Sequence, residues 1–245
     1  MHTPAILRAS AASMLVYVLS CSTAYALGDR DSMWDALLHR YVRSHEVSYT
    51  GFKADPSFAE VINQFSRTDP DAIKSTQDRL AFWINAYNAF TIKLIVDHLP
   101  VPSIKAISKK PWDDPFITIH GQKYSLNDIE EHILRKKFKE PRIHFALVCA
   151  AKSCPPLRNE AYRGSTLNKQ LEDNGRAFFQ ETNKNRYDAG SGTIFLSPIF
   201  GWYNEDFIAK SGSVQVFVKP YLNAPAITSQ TPFRYTDYDW SLNGH

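Results

Sequence analysis

Three residues of one segment could do chemistry together: His144, Cys149 and Cys154. A thiolate is a strong nucleophile, and an imidazole is a common base for generating one. Lys152 and Arg158 lie close in sequence, and their charge would lower a thiol pKa. This set points to a thiol-dependent hydrolase or acyl transferase, with Cys149 or Cys154 attacking and His144 taking the proton. The same residues admit plainer roles. The two cysteines could bridge and staple the loop between them, and His144 could be a buried, hydrogen-bonded histidine. As a metal site the three match no common zinc spacing and have no evident fourth ligand, so no metal and no cofactor is expected. Thioredoxin-like redox shuttling uses two residues between its cysteines, where this chain has four.

Asn85 and Asn88 are three apart, so on a helix they share a face. Buried amides must be hydrogen-bonded. The pair therefore either fastens nearby loop backbone or lines a pocket and polarises a ligand group. Glu130, Asp206 and Trp202 complete the candidates. Trp202 and Tyr203 read as core aromatics, and Arg135 as a surface partner of Glu130 or Glu131. His39, His45, His98, His120 and His132 are scattered and read as surface or cap residues.

These side chains need elements to hold them. Asp31 is expected to cap a helix carrying Trp34, Leu37, Leu38, Tyr41 and Val42. A second helix runs through Phe58, Val61, Ile62 and Phe65. A third is expected from about Thr76 to His98, opened by Ser75 with Asp78 and closed before Pro100. Its apolar residues surround it, which predicts burial on every side. Phe116 to Tyr124 reads as a hairpin turning at His120-Gly121. Ser125 to Asp128 opens a helix carrying Ile129, Ile133 and Leu134. Ile143 to Ala151 reads as a buried central strand, whose alternation would send His144 and Cys149 to opposite faces. A helix after Gly164, a strand over 193–196 and a helix capped by Ser197 with Pro198 at its first position follow. A helix through Val214 and Leu222 and a terminal strand over 233–240 complete the order. The expected class is α+β: a helical N-terminal third packed on a small mixed or antiparallel sheet with further helices, in one domain over 27–245.

Residues 1–26 differ from the rest. They carry one basic residue, Arg8, and no acid, with an apolar run from Ala11 to Leu19 and a small-x-small end at Ala24-Tyr25-Ala26. This reads as a secretory signal peptide. An alternative is a lipobox at Val18-Leu19-Ser20-Cys21, which would leave a protein lipid-anchored through Cys21. Either way the chain is expected to be exported, to the periplasm. Two cysteines then remain after cleavage at Ala26, and a Cys149–Cys154 disulfide becomes the default expectation. Losing Arg8 lowers the formal charge from +3 to +2, too weak for a nucleic-acid partner. No other segment is long and apolar enough to span a bilayer.

Four blocks carry a resemblance. They are Ala81-Phe82-Trp83-Ile84-Asn85-Ala86-Tyr87-Asn88-Ala89; Ser125-Leu126-Asn127-Asp128-Ile129-Glu130 with Ile133-Leu134-Arg135; 144–158; and Ile194-Phe195-Leu196-Ser197 with 199–203 and Asp206-Phe207. In this order, over about 47–243, they resemble the domain-of-unknown-function 547 (DUF547) family. The resemblance implies no settled activity, and implies export or membrane anchoring in bacteria. The function expected from the sequence is a periplasmic binding or accessory module for a small molecule or peptide, with the thiol enzyme as the alternative.

Overall fold

The computed structural model describes residues 30–245. The expected leader and Cys21 lie outside them. The first described helix, α1, covers 30–41 and buries Trp34, Leu37 and Leu38. Asp31 sits inside α1 rather than capping it, and its carboxylate accepts from Arg30 Nε at 2.8 Å. A two-stranded ribbon, β1 (Val42–Arg43) with β2 (Glu46–Val47), leads to α2 (Tyr49–Ala54) and α3 (Pro56–Arg67). Asp55 caps α3 by accepting from Ser57 N, and Pro56 fills its first position. The buried residues of α3 are Phe58, Val61, Ile62 and Phe65, one stripe at helical spacing.

The central helix, α4, spans Thr76–Asp97, with Ser75 accepting from Asp78 N at its start. From Leu80 to Val96 all but one residue are buried, so the expectation of a helix enclosed on every side holds. It packs against α2 and against a π-helix over Asp128–Phe138. Between them, β3 (Ile117–Ile119) and β4 (Gln122–Tyr124) form the expected hairpin. Its turn needs positive φ at two successive positions, met by His120 at 46° and Gly121 at 75°.

The expected strand over 143–151 is not formed. Pro141–Phe145 is instead a 3-10 helix, and beyond it only Ala151 makes a bridge, to Leu242. Two local causes stand out. Ala150 takes φ 60°, which an extended strand does not tolerate. The ladder bonds a strand partner would make are supplied by one side chain: Asn88 Nδ2 donates to Ala146 O at 2.9 Å and Val148 N donates to Asn88 Oδ1 at 3.0 Å. The run is apolar because it is buried, and burial alone does not select a strand.

The C-terminal part follows with α5 (Leu167–Gln180), β5 (Arg186–Asp188), β6 (Thr193–Leu196), α6 (Ile199–Trp202), α7 (Asn204–Ser211), α8 (Val214–Leu222) and β7 (Phe233–Tyr235). The sheet order is β5-β6-β7, antiparallel then parallel. The terminal strand is shorter than expected, and 236–240 run on as irregular chain. The result is an α+β fold, with three small sheets among the helices of the described residues where one sheet was expected. Buried apolar residues form one cluster around α4 and a second around Phe145, Phe178, Phe200 and Phe207.

Candidate functional site

The central helix supplies the first member of the site. Tyr87 is fully enclosed on α4, and a buried tyrosine hydroxyl needs a partner. It finds one on the π-helix, donating to Glu130 Oε2 at 3.0 Å. Tyr203, at the junction of α6 and α7, lines the same cavity as Glu130. Extended π-helices are rare and recur at functional sites. Burial pushes the Glu130 carboxyl up, against the pull of His144 and the two tyrosines, so Glu130 holds its proton above the ordinary glutamate range.

His144 comes from the 3-10 helix. Its ring stacks on Tyr203, with centroids 3.9 Å apart. Its Nε2 lies 2.8 Å from Asp206 Oδ2, and its Nδ1 lies 3.7 Å from Glu130 Oε1. Asp206 on α7 in turn accepts a bidentate pair of bonds from one edge of the Arg135 guanidinium, at 2.7 Å from Nε and 3.0 Å from Nη2. Partial burial works to raise the Asp206 pKa, but the bonds from His144 and Arg135 outweigh it and hold this carboxyl well below the usual range. Arg135 also pairs with Glu131 on its own helix. The two carboxylates on either side of His144 are thus pushed in opposite directions, which is how acid and base roles are separated in one site. With Nε2 bound to Asp206, Nδ1 is the ring nitrogen left for another partner.

That nitrogen has no hydrogen-bond partner, although His144 is only 3% exposed. Of the unpartnered buried side-chain atoms among the described residues, it is the one whose residue lines a cavity of about 700 Å³. Tyr87, Glu130, His144 and Tyr203 line one part of this cavity, and Cys149 with Cys154 line another. Trp112, Trp202, Tyr238 and Trp240 form an aromatic wall: Trp202 stacks on Trp240 at 5.7 Å, and Tyr238 lies 4.6 Å from Trp240. Lys105, Lys109 and Lys110 are exposed at the mouth, and Lys105 Nζ sits 3.6 Å over the Trp240 ring.

Cys149 and Cys154 are joined in a disulfide, as expected, with Cα atoms 6.2 Å apart. The loop is pinned by the C-terminal chain, Lys152 N donating to Ser241 O at 2.9 Å and Ser153 N to Asp239 O at 3.2 Å. Lys184 Nζ donates to Cys154 O at 2.8 Å. Because the separation is five residues, the bridge restrains the unfolded chain weakly. The expected loss on replacing both cysteines by serine is about 2 kcal/mol, read from urea unfolding midpoints. A loss above about 4 kcal/mol would show that the bridge holds more than its own loop.

The structure joins some sequence candidates and separates others. His144, Cys149, Cys154, Glu130 and Trp202 share the large cavity. Without a strand there, the alternation that would have parted His144 from Cys149 does not apply. Trp202 is 49% exposed, so it is a cavity wall and not the core aromatic it was read as. Asn85 and Asn88 lie outside the cavity lining and are saturated by backbone, Asn85 by Tyr162 N and O, Asn88 by Ala146 and Val148. Lys152 lines a smaller cavity with Glu181 and Lys184. Arg158 pairs with Glu160 and lines a third. Arg135 is a half-buried support of Asp206 rather than a surface residue. Missed by sequence reading were Tyr87, Tyr238, Trp112, Trp240 and the three lysines. Only Tyr87 carried a signal, a polar-tipped ring on a helix enclosed all round. Among the described residues no cluster of His, Cys, Asp and Glu could hold a metal ion, and no helix is long and apolar enough to cross a membrane.

Comparison with curated proteins and with solved structures gives no match. The block at 194–207, which holds Tyr203 and Asp206, falls outside the stretch that a family model covers. Residues 70–179, from the approach to α4 through the cysteine loop to α5, match the family model described as "Protein of unknown function, DUF547".

Proposed function

We propose that this chain is an exported ligand-binding module that takes a small organic acid into the aromatic cavity. The leader at 1–26 supports export, and the aromatic wall supports a ring-bearing ligand, whether flat or a sugar. The lysines at the mouth favour a negative charge. The observation that carries the reading is the buried, unpartnered Nδ1 of His144. A nitrogen held in orientation by Asp206 and Arg135, buried beside the cavity and without a partner, is placed to accept from a ligand hydroxyl or amide that displaces its cover.

The test is a thermal-shift panel of acidic sugars and aromatic carboxylates, followed by calorimetric titration of the best binder. His144→Ala is expected to weaken that binder about tenfold, the cost of one buried hydrogen bond. Equal affinity in wild type and His144→Ala would overturn the role of Nδ1. A panel with no binder at all would remove the small organic acid.

A further inference from the structure

We propose that the Cys149–Cys154 disulfide is a thiol-exchanging redox centre, attacked at Cys149 from the aromatic cavity, with Cys154 as the leaving sulfur. This rests on the reading above only in needing the cavity to admit a small molecule.

The bridge is placed as a site would be placed. It forms part of the cavity wall and is not enclosed in either core cluster. Its short loop gives it little to do for stability. The two sulfurs are also unequal. Cys149 is half-buried, whereas Cys154 is 3% exposed. Cys149 Sγ has the Tyr238 hydroxyl at 3.1 Å. Cys154 Sγ receives two donors, the Cys149 backbone N–H at 3.0 Å and the Tyr238 hydroxyl at 3.4 Å. Sulfurs in a bridge carry no hydrogen, so Tyr238 is the donor, with one proton shared between the two sulfurs. Burial, reinforced by the Glu130 charge, pushes the Tyr238 pKa up, which keeps its proton in place to donate. Exchange is faster when the leaving thiolate is stabilised: the Cys149 N–H is aimed at Cys154 Sγ alone, and the Tyr238 hydroxyl, within reach of both sulfurs, can turn to Cys154 as the bond opens. The backbone around Cys154 is held by Lys184 and the C-terminal chain, so the loop does not need to rearrange for the bond to open.

The chemistry balances with a small thiol as reductant. Its thiolate attacks Cys149 Sγ, the sulfur–sulfur bond breaks, and the electron pair moves to Cys154 Sγ. The products are a mixed disulfide on Cys149 and a thiolate on Cys154. A second thiolate attacks the small-molecule sulfur of that mixed disulfide and expels Cys149 as thiolate. Two thiols are oxidised to one disulfide, the protein disulfide is reduced to two thiols, and the protons released by the first pair end on the second. A small-molecule disulfide drives the sequence in reverse.

The experiment treats the native, oxidised protein with 2-mercaptoethanesulfonate near neutral pH, quenches with acid, alkylates free thiols and maps adducts by peptide mass spectrometry. The expected result is a mixed disulfide on Cys149 with Cys154 alkylated, formed without denaturant. Tyr238→Phe is expected to slow opening about tenfold, with its Tm measured alongside to confirm folding. Adducts on Cys154, or a bridge that opens only in denaturant, would overturn the proposal, whatever the behaviour of Tyr238→Phe. The ligand panel is run on the same oxidised sample. Ligand shifts with an inert bridge sink the exchange alone, while a reactive bridge without ligand shifts sinks only the binding of organic acids.

Discussion

Replacing Asn88 with leucine is expected to lower unfolding stability by about 3 kcal/mol and to abolish ligand binding in the aromatic cavity. The side chain is buried on α4 and makes two bonds to the segment that carries His144 and Cys149: it donates to Ala146 O and accepts from Val148 N. Leucine keeps the branched shape at somewhat greater bulk and leaves both backbone groups without a partner, at roughly 1–3 kcal/mol each. Relaxation of that segment would shift His144 against Asp206 and Glu130. Asn85→Leu is the matched control. It strands Tyr162 N and O in the same way, but Tyr162 does not line the cavity. A comparable stability loss with binding retained is therefore expected for Asn85→Leu. Urea unfolding and calorimetric titration of both variants decide it. If the two lose binding equally, Asn88 acts through general stability and not by holding the site.

Phe145→Ala is expected to be more damaging, at about 3–5 kcal/mol. The ring is fully buried within the second core cluster, next in the chain to His144. Its centroid lies 5.5 Å from Tyr221 and about 6 Å from those of Phe178, Phe179, Phe200 and Phe217. A void there removes aromatic contacts to α5, α6 and α8 at once. The neighbours cannot collapse readily, because they pack on one another as well. Urea titration reads the effect as a shift in midpoint with an unchanged slope. A loss below about 1 kcal/mol would mean that the cluster closes over the gap and that Phe145 is not its hub.

The two variants also show why sequence reading went wrong where it did. An apolar run such as 143–148 reports burial, and both a strand and a buried 3-10 turn meet that condition. The choice was made by Asn88, more than fifty residues away, whose amide takes the place of a neighbouring strand. His144 and Cys149 were consequently assigned to opposite faces by a periodicity that the segment does not follow. Trp202 was assigned to the core by composition, because nothing local marks which aromatic ring faces a cavity. Asp206 was singled out next to Trp202 and Tyr203, but its partners Arg135 and His144 lie 71 and 62 residues upstream. Trp112 and Trp240 sit in irregular chain, where no period exists to flag them.

What the sequence determined by itself is local. The Ser75 cap and the apolar surround of 80–96 set α4, the alternation around His120-Gly121 set the hairpin, the 193–196 run set β6, and two nearby cysteines set the disulfide, since each depends on residues within a few turns of one another. The tertiary structure decided which of those residues share a cavity. Bringing Tyr87, Glu130, His144 and Tyr238 together requires the π-helix and the 141–145 turn to gather beside α4 and the C-terminal tail to close on them. Such contacts are fixed by the collective burial of two clusters, a long-range quantity that no window of sequence contains.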